Sequence, residues 1–171
     1  EVSNRHEQER TRNIAYSNED WGLIEAELLR RTKETKGKRR NLLPIQLYGR
    51  MVLKSLLQVL VHSGMRPQEA TEIIKWKDIR FIDKGATQLD RVMSNECVIN
   101  IHNPTGKGSR KVACDAGLIL KLFQRYCITW RKENGHSKLS SSSLVFANPL
   151  TDKPYAYSLF GNQFRDLLDR L

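Results

Sequence analysis

The chain has 171 residues, 29 of them basic and 19 acidic, which gives a formal net charge of +10. Hydrophobic residues make up 39% and charged residues 28%, a composition typical of one globular domain and unlike that of disordered or membrane proteins. The most apolar stretch, residues 51–65, is interrupted by Lys54, Gln58 and His62, which excludes a membrane-spanning helix, and no signal peptide is recognisable. The positive charge favours a polyanionic partner, nucleic acid first, although many basic proteins have no such partner.

The first residues predict an arm followed by a helix. Residues 1–14 are polar, charged and aperiodic, and we interpret them as a linker to a domain over 15–171. Ser17, with Asp20 three residues later, predicts a capping box at a helix N-terminus. Helical spacing continues to about residue 31, and residues 30–40 then form a basic stretch, which is either a solvated loop or a phosphate-contacting surface. The apolar stripe of this helix is Trp21, Ile24, Leu28 and Leu29.

A second, central helix is predicted over about 45–63. Pro44 fits its first turn, and Gly64 fits the left-handed position that ends a helix. A third, short helix begins at Pro67 and continues to about Lys75. The predicted core stripe of the central helix is Leu53, Leu56, Leu57, Leu60 and Val61.

The middle of the chain predicts a small antiparallel sheet. Residues 76–81 indicate an extended segment, and residues 96–115 alternate about a turn-rich centre, as a β-hairpin does. Helical spacing returns over about 118–130, and a last helix begins at about Ser158. The expected fold class is α+β, mainly α, with about five helices around a three-stranded antiparallel sheet.

The three cysteines predict no metal site. Cys97, Cys114 and Cys127 lack CxxC or Cys/His ligand spacing, and their odd number does not indicate a disulfide framework. We interpret them as buried thiols of an intracellular protein.

One ordered set of motifs resembles a known family. The segment Ser63–Ala70 reads SGMRPQEA, Trp76 and Asp78 follow it, and Lys107 then lies between two glycines in the hairpin turn. This order resembles the catalytic domain of the tyrosine recombinases, the phage-integrase family, from about residue 13 onward. The resemblance implies an enzyme that binds double-stranded DNA, assembles on it as a tetramer, and cuts and rejoins it through a 3′-phosphotyrosine intermediate. It implies no metal and no cofactor, and a location in the cytoplasm of a bacterial or phage-infected cell.

Arg66 and Lys107 are the candidate catalytic residues. Arg66 lies where one helix stops and another begins, so a rigid turn would aim its planar guanidinium at a phosphate. The resemblance implies that Lys107 protonates the departing 5′ oxygen, with Lys111 as the alternative donor. Glu69 either orients Arg66 or stabilises the first turn of the short helix. From charge and position, the predicted phosphate contacts are Arg30, Arg31, Lys36, Lys38, Arg39, Arg40, Lys75, Lys77, Arg110 and Lys111.

Two family elements have no counterpart in this sequence. No histidine is followed by arginine three residues later, and all five tyrosines precede the place expected for the nucleophile. The chain is therefore expected to be a fragment that lies before these elements and is inactive alone. The alternatives are a non-catalytic nucleic-acid-binding module of the same fold and, more distantly, a basic protein with acidic partners.

Overall fold

The computed structural model describes residues 17–33, 43–102, 108–155 and 157–171. The predicted arm over 1–14, the candidate contacts Lys36, Lys38, Arg39 and Arg40, and the candidate proton donor Lys107 lie outside these residues. The predicted fold class is confirmed for the described part, which is mainly helical with a three-stranded antiparallel sheet.

Helix α1 spans Asn18–Lys33 and begins with the predicted capping box. The Ser17 hydroxyl accepts a hydrogen bond from the Asp20 backbone N–H, and the Asp20 carboxylate accepts one from the Ser17 N–H, at 3.1 and 3.0 Å. Ile24 and Leu28 are buried as predicted. Leu29, which the predicted apolar stripe included, is 39% exposed.

Helix α2 spans Pro44–Ser63 and is the central helix of the fold. It packs against α1, against the third strand and against the two long helices that follow. Leu53 and Leu56 are buried as predicted, and Leu57 and Leu60 pack partly buried against the core. Val61 is 55% exposed, so its place in the stripe was wrong. The sequence missed the buried residues Tyr48, Val52 and Val59. Gly64 ends the helix with φ 61° and ψ 19°, as predicted.

The segment after α2 makes two short turns before it becomes a strand. Residues 67–73 are helical, with a wide π turn over Glu69–Ile73. Trp76–Asp78 form a 3₁₀ turn, because the Asp78 carboxylate accepts the Lys75 backbone N–H at 3.0 Å. The predicted extended segment over 76–81 is therefore a strand only in its second half, β1, Ile79–Phe81.

The sheet is an antiparallel meander in the order β1-β2-β3. Strands β2, Cys97–His102, and β3, Ser109–Cys114, form the predicted hairpin, and Cys97 lies opposite Cys114. Cys97, Ile99 and Ile101 point inward and are buried. The core lies between this face of the sheet, α2 and the later helices.

Three helices complete the described chain. Helix α3, Gln88–Met93, lies where the sequence predicted only a polar loop. Helix α4, Gly117–Glu133, buries Phe123 against Phe146, with ring centroids 5.4 Å apart. Helix α5, Tyr157–Leu168, packs against α1 and α2. None of the described helices is both long and apolar enough to cross a membrane.

Candidate functional site

The turn that presents Arg66 is anchored on both sides. On one side, the Gly64 N–H donates to the Leu60 carbonyl at 2.9 Å, and the Ser63 hydroxyl donates to the Val59 carbonyl at 2.6 Å. On the other, Met65 is buried and its N–H donates to the Ser63 hydroxyl. Arg66, the next residue, is exposed. Hydrogen bonds therefore fix the backbone immediately before Arg66, and the Arg66 side chain is exposed to solvent.

Glu69 fixes the start of the short helix and also reaches the sheet. Its Oε2 atom accepts the Arg66 backbone N–H at 2.8 Å and the Arg110 Nη2 at 2.6 Å. Burial opposes ionisation of this carboxyl, but the two hydrogen bonds outweigh it and leave the pKa of Glu69 below its ordinary value. Of the two predicted roles, the contacts support stabilisation of the first turn, since Glu69 bonds the backbone of Arg66 and the guanidinium of Arg110.

Neighbouring basic residues of β3 point to opposite faces of the sheet. Arg110 pairs with Ile101 on the inward face, where it meets Glu69, whereas Lys111 pairs with Asn100 on the outward face. Strand geometry therefore brings Arg110 to the Arg66 turn and places Lys111 on the other side of the sheet. Lys107, which precedes both, is outside the described residues.

A cleft of about 480 Å³ lies beside the end of β2 that leads into the hairpin turn. Asp78 is buried at its floor, with Oδ1 3.6 Å from His102 Nε2, and its main-chain carbonyl accepts the Asn100 side-chain amide at 3.3 Å. Lys75 and Lys77 line the same cleft. Two predicted phosphate contacts therefore lie near the end of β2, on the segment that follows the Arg66 turn.

Arg30 and Arg31 do not lie with this group. Glu27 binds both guanidinium groups, at 2.6 and 3.0 Å, and the Arg31 carbonyl accepts Nη1 of Arg50. Arg50 lies in the first half of α2, whereas Arg66 follows its end, and the helix rise from 50 to 63 is about 20 Å. The described basic candidates therefore form two groups at opposite ends of the central helix.

Sequence reasoning missed three arrangements. Arg50 and Arg170 join Arg30 and Arg31 around one cavity, and the chain gives no local signal for this grouping. The pairing of Asp78 with His102 also depends on tertiary structure. The Cys97–Cys114 pair did have a signal, because equal counting outward from a hairpin turn predicts which residues face each other.

Within the described part of the chain, no cluster of three or more histidine, cysteine, aspartate or glutamate side chains is arranged to hold a metal ion. No protein-family model, curated protein or solved structure matches the chain.

Proposed function

We propose that the chain is part of the catalytic domain of a tyrosine recombinase of the phage-integrase type, which cuts and rejoins duplex DNA through a 3′-phosphotyrosine intermediate. One observation carries the proposal: the Glu69 carboxylate joins the Arg66 turn to Arg110 at the start of β3. The two segments are far apart in sequence, and the resemblance to the recombinase family implies that both contribute to phosphate binding. Their contact supports a single site for one phosphate.

Charge balance around Glu69 supports the role of Arg66. A lone carboxylate beside an exposed arginine would draw its guanidinium away from a ligand. Here the carboxylate already accepts two hydrogen bonds, one of them from the guanidinium of Arg110. Arg110 is then a positioning residue that binds Glu69, and the exposed guanidinium of Arg66 is available to bind the phosphate.

The proposed chemistry assigns separate tasks to the two candidate residues. The planar fork of Arg66 binds two phosphate oxygens and stabilises the charge that builds up in the pentacovalent transition state. Lys107 donates the proton to the departing 5′ oxygen. The 171 residues contain no His-x-x-Arg box. The second arginine and the nucleophilic tyrosine would therefore be residues outside these 171. The chain alone would bind DNA without cutting it, and the whole protein would act as a tetramer in the cytoplasm.

The first test is the reading frame that encodes the chain. A His-x-x-Arg box and a later tyrosine, encoded after Leu171, are expected. Their absence would contradict the recombinase proposal and favour a non-catalytic DNA-binding module.

The second test is Arg66→Ala in the protein that this frame encodes. We expect strand transfer on a duplex substrate to fall by about 10²–10³-fold, as for loss of one transition-state donor. DNA affinity should fall by less than about tenfold, with the salt dependence reduced by about one phosphate contact. Arg125→Ala, which removes an exposed arginine from α4, is the matched control and should leave both unchanged. Equal losses of transfer and binding for Arg66→Ala would favour the binding module.

A further inference from the structure

A cavity of about 440 Å³ lies between the end of α1, the first half of α2 and α5. Four arginines line it, and we call it the arginine cavity. Leu28, Ile45 and Leu53 form one apolar wall. The volume of the cavity is in the range of small-molecule binding pockets. The four arginines are Arg30, Arg31, Arg50 and Arg170.

The positive charge of the arginine cavity is only partly balanced. Glu27 pairs with Arg30 and Arg31, and Asp166 is the acidic residue among the lining side chains. Burial, together with the repulsion of Arg31, Arg170 and Arg30, lowers the pKa of Arg50. Such repulsion identifies a place where an added anion would be stabilised.

The guanidinium groups retain donors for such an anion. Arg31 uses Nε toward Glu27 and Nη2 toward the Asp166 carbonyl, and Arg50 uses Nη1 toward the Arg31 carbonyl. Each guanidinium carries five N–H groups in a planar fork, so the contacts named above leave N–H groups on both arginines for a ligand. These hydrogen bonds also fix the two side chains in place before a ligand arrives.

A buried acceptor also lines the cavity. Oε1 of Gln163 is inaccessible to solvent and has no hydrogen-bond partner among the described residues. A buried polar atom without a partner is costly, and a ligand that carries a hydroxyl beside its anionic group would satisfy it.

We propose that the arginine cavity is a second anion site that binds a phosphate group. Arginine forks match phosphate oxygens in geometry and charge better than lysines do. The phosphate comes from one of two sources, a small phosphate ester that enters the cavity or the backbone of duplex DNA that passes its mouth. The site lies about 20 Å along α2 from the Arg66 turn and does not depend on the proposed recombinase function.

The test measures thermal unfolding of the chain with inorganic pyrophosphate, against sodium chloride at equal ionic strength. At ten times its Kd, pyrophosphate should raise the Tm by about 3–6 °C. Arg170→Gln removes an exposed lining arginine and should abolish that increase. Arg165→Gln changes the same residue type on α5, five residues before Arg170 and outside the cavity lining, and should retain the increase.

A second arm identifies the source of the phosphate. If Arg170→Gln also weakens binding of duplex DNA by threefold or more, the site contacts the DNA backbone, and if DNA affinity is unchanged, it takes a small phosphate ester. The proposal is overturned if Arg170→Gln alters neither the pyrophosphate shift nor DNA binding. Arg66→Ala should keep the pyrophosphate shift, so failure of this site and failure of the proposed function are separable.

Discussion

At the scale of single residues, two thiols face each other across the hairpin. Cys97 and Cys114 are direct partners on the inward face, with their sulfur atoms 3.6 Å apart. The hydrogen bond from the Cys97 thiol lowers the pKa of Cys114 to about 7, although burial acts in the opposite direction. Cys114 is therefore the more reactive thiol of the pair, because the hydrogen bond that the Cys97 thiol donates stabilises the Cys114 thiolate.

The first prediction concerns this donor. Cys97→Ala removes the hydrogen bond, so the pKa of Cys114 should return toward the ordinary thiol value of about 8.5. A lowered pKa makes thiolate available at lower pH, so the midpoint of Cys114 alkylation should move up from about pH 7. The rate constant at pH 7 should fall by about threefold to tenfold, because a higher pKa leaves less thiolate at pH 7. The greater nucleophilicity of the more basic thiolate offsets only part of this loss. Iodoacetamide labelling followed by peptide mass spectrometry measures both.

The control is Cys127→Ala. Cys127 is buried on α4 and its sulfur shares a hydrogen bond with the Tyr48 hydroxyl at 3.3 Å, not with the hairpin thiols. Its removal should leave the alkylation profile of Cys114 unchanged. An unchanged profile in Cys97→Ala would show that the hydrogen bond does not control Cys114.

Glu69 marks how far the candidate site was predictable. The sequence identified it by its spacing from Arg66, since a carboxylate at the third helical position commonly caps the first turn. The sequence did not indicate that the Arg110 guanidinium would bind the same Glu69 oxygen as the Arg66 N–H, because strand register and packing determine that contact. Local partners were predictable, and distant ones were not.

At the scale of elements, the end of α2 depends on one backbone conformation. Gly64 has φ 61°, where a side chain is disfavoured, yet an added Cβ would meet no atom within 4 Å. Gly64→Ala should therefore lower the free energy of unfolding by about 1–2 kcal/mol, through backbone strain alone. Urea denaturation measures this difference.

Gly49→Ala is the matched control within the same helix. Gly49 lies inside α2, and a Cβ there also meets nothing within 4 Å. Alanine in a helix interior should raise the free energy of unfolding by about 0.5–1 kcal/mol. If both variants change stability in the same direction, conformation at Gly64 is not the cause.

Long periodic elements were predictable, and short ones were not. The bounds of α2 followed from Pro44 and Gly64, which define a helix chemically at both ends. Helix α3 was missed because it has only six residues and buries none of their side chains, although Thr87 and Asp90 form a capping box. For the inward stripe of α2, Leu53 and Leu56 were predicted correctly and Val61 was not, because the many apolar residues of this helix fit more than one helical face.

At the scale of the whole molecule, a buried charge ties α4 to the segment before α5. The Arg131 side chain is only 3% exposed, and it donates to the Ser137 carbonyl and to the Asp152 carboxylate. A buried guanidinium that loses its carboxylate partner is strongly destabilising. Asp152 is therefore a stabilising contact between two distant parts of the chain.

The prediction that follows is for Asp152→Asn. Asn keeps the shape of the side chain and tolerates the φ of 55° at this position, so the change removes charge alone. The free energy of unfolding should fall by about 1–3 kcal/mol, reduced from the fully buried case because Asp152 itself is half exposed. Chemical denaturation at neutral pH measures it.

Glu96→Gln is the comparison variant. It breaks the Lys84–Glu96 pair, in which both side chains are exposed, and should cost less than about 0.5 kcal/mol. A loss for Asp152→Asn no larger than this would show that Arg131 does not require its partner.

The distribution of charge was the least predictable feature at this scale. The sequence analysis placed Arg30 and Arg31 in one set of predicted phosphate contacts with Arg110 and Lys111. The structure puts Arg30 and Arg31 beside Arg50 and Arg170, at the other end of the central helix from Arg66. Composition gives the sum of the charges, whereas their grouping depends on helix packing.

The order of the strands has a consequence for how the protein folds. Every strand of the sheet pairs with its neighbour in the chain, so the pairings close short loops at small entropic cost. The packing of α5 on α1 instead joins residues 157–168 to residues 18–33 and closes almost the whole chain. Contacts between near neighbours form sooner than contacts between distant segments. We therefore expect the protein to assemble from its middle outward, with the hairpin formed before the outer helices meet.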